Sequence, residues 1–170
     1  MKLIKRYQDL DENTRNALSL IVYNEFGDVP IINEYEWATP DWAVILYSND
    51  EIATVGHVIT RTSFFDDEEM KVGGLNNMIT VKKYRGEGFA QEVLKSTHEL
   101  IFKKLKCDVG LLLCADELVP FYQRYGWYKV HSTLYFDQPT EKMKWGANVM
   151  LLTMNGKLKP KTIDLNGLPW

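Results

Sequence analysis

Residues 78–101, MITVKKYRGEGFAQEVLKSTHELI, change hydrophobic period in the middle. A β-rich run ends at Val81, and Gly86 and Gly88 follow within a few positions. From Gly86 onward Phe89, Val93, Thr97, Leu100 and Ile101 fall on one helical stripe. Lys103, Lys104 and Lys106 occupy the last turn, where cations complement the helix dipole. The next apolar run, CDVGLLLCA (107–115), is short and continuous, the pattern of a strand buried on both faces. A helix that starts on glycines directly after a strand aims its first unpaired N–H groups at the strand's end. Those amides and the helix dipole form an anion site that needs no cationic side chain. Gly86 and Gly88 also lack the β-carbons that would hold a pyrophosphate away from the backbone, and Arg85 sits at the rim. The spacing fits neither a Walker loop nor a dinucleotide fingerprint. A glycine-rich turn with no ligand fits the same residues.

The remaining elements follow from caps, turns and alternation. KLIKRY alternates as a first strand. Asp9 to Asp11 cap a helix bearing Leu18, Ile21, Val22 and Phe26 on one face, stopped by Gly27 and Pro30. DVPIINEYEWATPD reads as a long functional loop or a broken second helix. Residues 41–65 form a hairpin about SND, and Asp66 to Glu69 form a charged turn. MKVGGLNNMITV is the next strand, in which the glycine pair marks a bulge or a close backbone approach. Asp116 caps a short helix that Gly126 ends, and strands over 127–136 and 147–154 make a final hairpin joined by a polar loop. The order β-α-β-β-β-α-β-α-β-β predicts an α/β fold of one domain, residues 1–170, with a mixed central sheet flanked by helices.

Charge narrows the partners. A net charge of -3 and a pI near 5.6 argue against duplex DNA or an anionic membrane surface. No stretch is long enough to span a bilayer and no signal core opens the chain, so a cytoplasmic location is expected. Cys107 and Cys114 match neither a metal spacing nor a disulfide framework, and no metal is expected.

RGEGFA resembles the Q/R-x-x-G-x-G/A signature of the GNAT superfamily of acyl-CoA N-acetyltransferases. NNMITVKKYRGEGFA is similar to that family's strand and loop, with Lys82 where a proline is common, and LVPFYQRYGW to its downstream helix. EIATVGHVITR, VGGLNNMITV and the tail GLPW loosely resemble the aminoglycoside 2′-N-acetyltransferases. The tail lacks the acidic residue those enzymes carry near their end.

The resemblance implies acetyl-CoA as cofactor. Met78, Ile79 and Thr80 would pair with the pantetheine arm through their backbone, and Arg85, Gly86, Glu87, Gly88, Phe89 and Ala90 would bind the pyrophosphate. Tyr122 matches the general acid, with Tyr125 in reserve; packing beneath Trp127 is the structural alternative for Tyr122. Asn76 stands where the closer relatives carry a glutamate base, and an amide cannot take a proton. His57, Glu34 or Glu36 through water, or no dedicated base remain. Glu34, Glu36 and Trp37 of the acidic loop, with Trp170 of the tail, would select a small, cationic amine; a solvated acidic loop is the plainer alternative. The function implied is acetyl transfer to a small-molecule amine by a monomer or homodimer. A non-catalytic acyl-CoA-binding module, or an enzyme acting on a protein N-terminus or lysine, are the alternatives.

Overall fold

Two hairpins with tight turns and one helical crossover organise the chain, which the computed structural model describes over residues 1–170. The strands are β1 (Lys2–Arg6), β2 (Trp42–Ser48), β3 (Glu51–Phe65), β4 (Glu68–Thr80), β5 (Val109–Cys114), β6 (Tyr128–Val130), β7 (Thr133–Asp137), β8 (Lys142–Lys144), β9 (Asn148–Leu152) and β10 (Thr162–Asp164). The helices are α1 (Glu12–Phe26), α2 (Pro30–Glu34), α3 (Phe89–Glu99) and α4 (Val119–Gln123), and α3 runs on into a π-helical turn over Leu100–Lys104. The Asp11 carboxylate accepts the Thr14 N–H at 2.8 Å, so α1 begins where the acidic cap predicts. The β2–β3 turn places Asn49 and Asp50 at φ 50° and 61°, and the β3–β4 turn places Asp66 and Asp67 at 49° and 69°. Two successive left-handed residues match the twist of a two-residue hairpin, and Asn and Asp tolerate that region best. Glu68 and Glu69, expected in the turn, already belong to β4. The acidic segment after α1 is the broken second helix, α2.

The result is the expected mixed sheet flanked by helices. The order β1-β2-β3-β4-β5-β9-β6 runs across one region, and the far end of the fifteen-residue β3, at Phe64 and Phe65, pairs on its other edge with β10, followed by β7 and β8. β4 and β5 are parallel, as a helical crossover requires. Alternate residues of β2 feed opposite cores. Ala43 and Ile45 pack with Leu18 of α1, whereas Val44 and Leu46 pack with Val93 of α3. α4 joins the α3 side through Tyr122, Leu94 and Trp127. No helix is long and apolar enough to cross a membrane.

The expected terminal hairpin is corrected. Residues 127–136 form two strands: β6 pairs with β9 at one edge, while β7 crosses to pair with β8 and β10. The break falls at His131–Ser132, where the Ser132 hydroxyl donates to the Pro160 carbonyl at 2.6 Å. Leu134, Phe136 and Ile163 are then buried in one core with Val72 and Leu111. β8 and β10 lie in segments that read as polar loop and tail. Asp116 is no helix cap either; its carboxylate receives the Asn148 amide at 2.8 Å.

The glycine pair of β4 marks a close approach on both faces. A β-carbon at Gly73 would lie 2.7 Å from the Ile101 side chain, and one at Gly74 would lie 2.2 Å from the Trp170 ring. The bulge lies three residues further on, at Asn77.

Candidate active site

β4 and β5 pair only from Val72↔Val109 to Leu75↔Leu112. Immediately beyond, the β3–β4 register shifts: Val55 pairs with Ile79 but His57 pairs with Asn76, so β4 carries one extra residue. Asn77 provides it, at φ 46°. A bulge bends its strand and re-aims the following side chains. From Asn76 to Thr80 β4 therefore has β3 on one side and no strand on the other. Ile79 of this stretch is buried against α1, and the Thr80 hydroxyl bonds that of Thr54 at 3.0 Å. Met78 reaches across to Gly56.

The unpaired edge leads into the glycine loop. Gly86 and Gly88 adopt φ of 90° and 79°, and a β-carbon on either would meet nothing within 4 Å. Their glycine requirement is thus conformational, and the space in front of them is open. Gly88 is the N-cap of α3 and no side chain caps that end, which leaves the first amides of Phe89 and Ala90 without side-chain acceptors. Glu87 is exposed. Arg85 is tied back: its Nε donates to the Thr80 carbonyl at 3.0 Å, and Nη2 reaches both Glu25 oxygens at 2.9 and 2.7 Å. The loop is thereby pinned to both β4 and α1.

Tyr122 lies on α4, in the core cluster that contains Leu75 and Leu112, the last paired residues before the wedge opens. Its ring meets Trp127 edge-on at 6.3 Å and Phe121 at 5.1 Å. Burial, with the neighbouring Cys114, pushes its hydroxyl above the ordinary tyrosine pKa, so it stays protonated. Tyr125 packs on Phe121 beside it. Burial lifts the Cys107 and Cys114 thiols to about 11, which removes the thiolate a nucleophile needs.

His57 is 2% exposed and stands edge-on to the Tyr7 ring at 5.3 Å. The Asn77 amide nitrogen lies 3.3 Å from Nδ1, while Nε2 is buried without a partner. With that amide nitrogen donating, the imidazole proton sits on Nε2; the reversed amide would accept Nδ1–H and leave Nε2 its lone pair. Burial lowers the imidazole pKa to about 4, so the ring is neutral at neutral pH. His57 and Asn77 line a cavity of about 290 Å³ that is walled by α1 and α2 and open to solvent. Asn76 itself is turned to the backbone, its Oδ1 accepting the Asn77 N–H at 2.8 Å.

The residues expected to select substrate are dispersed. Glu34 and Glu36 are exposed, and the Glu36 backbone is clasped by Gln138 at 2.9 and 3.0 Å. Trp37 packs on Trp145 and donates to the Ile32 carbonyl, which anchors the loop to the region of β8. Trp170 is 3% exposed, flat against Gly74 with the Arg61 guanidinium 5.3 Å from its ring centroid, and so is a core residue with no face free for a ligand. None of the four lines the cavity, although Ile32, Asn33 and Pro40 of the same segment do. Sequence reasoning missed Asn77 and Tyr7. The Asn-Asn pair inside a strand was the available signal for a left-handed bulge; Tyr7 offered none.

A sheet that splays beside a bulge, with a glycine-started helix at the mouth, is the architecture of the N-acyltransferase fold. The chain belongs to the acetyltransferase (GNAT) domain family, whose profile matches residues 19–130. No curated protein matches it. Among solved structures it resembles Escherichia coli ElaA, with 15% identity, a TM-score of 0.63, and coverage of 89% of this chain and 98% of that one. It also resembles an acyl-CoA N-acyltransferase from Pseudomonas aeruginosa, at 10% identity and TM-score 0.62 over 90% and 99% of the two chains. The E. coli GNAT family N-acetyltransferase YhbS, solved in complex with CoA, matches at 10% identity and TM-score 0.62, over 97% of this chain and 89% of that one. These likenesses are of fold; the family rests on the profile match, and nothing here supports the narrower resemblance to aminoglycoside 2′-N-acetyltransferases.

Proposed function

We propose that this protein transfers an acetyl group from acetyl-CoA to a primary amine of a small molecule, directly and without an acyl-enzyme. The observation that carries this reading is the free edge of β4 at Asn76–Thr80 running into the uncapped start of α3. These residues fit the cofactor. An extended pantetheine arm can add to the backbone of Met78, Ile79 and Thr80 as a strand. The Arg85 N–H is taken by the Lys82 carbonyl at 3.3 Å, but the amides from Gly86 to Ala90, on two left-handed glycines with open space before them, can receive the pyrophosphate. YhbS, of the same fold, is described as bound to CoA. When bound, acetyl-CoA supplies an activated thioester.

The chain's own groups would then do three things. Tyr122 Oη holds a proton for the departing sulfur; because burial strengthens its hold, the hydroxyl acts first as a hydrogen-bond donor and yields the proton only as charge develops. His57 orients the amine in the cavity. Its pKa of about 4 makes it a weak base, so the amine loses its proton mainly to solvent before attack. Asn76 holds the bulge through the Asn77 N–H. The lack of a carboxylate at Asn76 favours a second reading, an acyl-CoA-binding module without chemistry. A thiol-release assay with acetyl-CoA and a panel of amines, beside calorimetry with acetyl-CoA alone, separates the two: binding without thiol release identifies the module, and no binding defeats both.

A further inference from the structure

The cavity beside the bulge supports a statement about the acceptor that rests on the acetyl transfer proposed above. We infer that it takes a compact primary amine with an apolar body and a single positive charge, rather than a polycation. Its volume of about 290 Å³ corresponds to roughly ten waters at about 30 Å³ each in the liquid, and so to a small ligand. Leu18, Val22, Ile32 and Pro40 supply apolar wall, and Tyr7 and Tyr23 add ring surface. The polar lining is neutral throughout, and no aspartate or glutamate contributes. Two of the carboxylates in the vicinity are engaged elsewhere, and Asp28 and Glu34, each next in sequence to a lining residue, are exposed outside the lining. Asp41 accepts both the N–H and the hydroxyl of Thr60, and Glu25 holds Arg85. A second ammonium entering this space would give up part of its water with no anion in the lining to replace it. A single amine escapes that penalty by shedding its proton before it attacks. The neutral nitrogen then needs one hydrogen-bonding partner, and His57 Nε2 is a buried ring nitrogen that has none in the protein. The acidic face that the sequence suggested for a cation, at Glu34 and Glu36, lies outside the cavity.

The test compares 2-phenylethylamine and butylamine with spermidine and kanamycin, by thiol release with acetyl-CoA and by calorimetry of each amine. The two monoamines should show kcat/KM at least tenfold above the polycations. Val22→Trp fills the cavity and should raise KM for 2-phenylethylamine tenfold or more while acetyl-CoA binding persists. Asn33→Asp places a carboxylate on the wall and should narrow or reverse the preference against spermidine. A wild-type preference for spermidine or kanamycin overturns the inference. So does undiminished use of 2-phenylethylamine by a folded Val22→Trp, or acetyl-CoA binding with no turnover of either class. Loss of acetyl-CoA binding would instead defeat the acetyl-transfer reading. In that event calorimetric binding of 2-phenylethylamine that Val22→Trp abolishes still upholds the selectivity of the cavity, and absence of binding sinks it.

Discussion

His57 is a strand residue whose chemistry is set by what surrounds it. In the unfolded chain its imidazole titrates near 6.5, and in the fold at about 4 because burial disfavours the cation. Between those values the unfolded chain binds more protons, so stability is fully present above about pH 6.5 and is lost as pH falls toward 4. The linkage amounts to on the order of 3 kcal/mol by 1.36 kcal/mol per unit. His98, which accepts the Trp127 Nε1–H at 2.9 Å and is also lowered to about 4, acts in the same direction. Urea melts at pH 7 and pH 4.5 should show the wild type losing stability, and His57→Gln losing distinctly less. Equal losses would mean that the imidazole titrates in the fold as it does in the unfolded chain. Tyr122 makes a sharper test of chemistry. Its hydroxyl has no hydrogen-bond partner in the protein, so Tyr122→Phe should change stability by under about 1 kcal/mol. Turnover should fall by about a hundred- to ten-thousand-fold, with acetyl-CoA affinity retained. Wild-type turnover in that variant would move the role to Tyr125 or to water.

At the scale of elements, the start of α3 combines two demands that substitution can separate. Gly88 stands at φ 79° with open space before it, so Gly88→Ala should cost roughly 1–2 kcal/mol of backbone strain while leaving room for a phosphate. Gly88→Glu adds bulk and negative charge. Acetyl-CoA should raise the Tm of the wild type and of Gly88→Ala, because a ligand that binds only the native state stabilises it. It should leave the Tm of Gly88→Glu unmoved. An equal shift in all three variants would remove the glycine loop from the cofactor site. The loop and helix were legible in the sequence because a glycine pair followed by 3.6-residue periodicity is local information. The bulge at Asn77 was not, since two asparagines in a strand state a tolerance for left-handed backbone and leave open which of two nearby irregularities the partner strand imposes.

Across the whole molecule the chain's last residues close the core. Trp170 lies on Gly74, Arg61 donates to the Leu168 carbonyl at 2.7 Å, and the Ala38 N–H reaches the Pro169 carbonyl at 2.8 Å. Trp170→Ala should therefore cost about 3–5 kcal/mol. Gly74→Ala should cost about 1–3 kcal/mol or more, because a β-carbon only 2.2 Å from the ring cannot be accommodated without moving the tail. Urea midpoints measure both. A Trp170→Ala protein of wild-type stability but poor activity would return this residue to substrate binding, the role its place in the sequence suggested.

The sequence by itself determined the elements whose signals are local: the Asp11 cap, the two aspartate-bearing turns, the glycine start of α3, and the buried strand at 109–114. Tertiary structure decided everything that depended on a partner far along the chain. Residues 127–136 read as one strand with the polar stretch His131–Thr133 inside it, and only the tertiary fold sends Leu134 and Phe136 to one edge while Tyr128 and Val130 stay with β9. The tail's tryptophan reads as equally fit for a pocket or a core until Gly74 lies beneath it. Acidic residues near a cleft suggest a cation until the cavity is bounded by α1, His57 and Asn77, with those carboxylates outside it. Hydrophobic period fixes which side of an element is buried, but register and packing fix against what, and a site is made of those contacts.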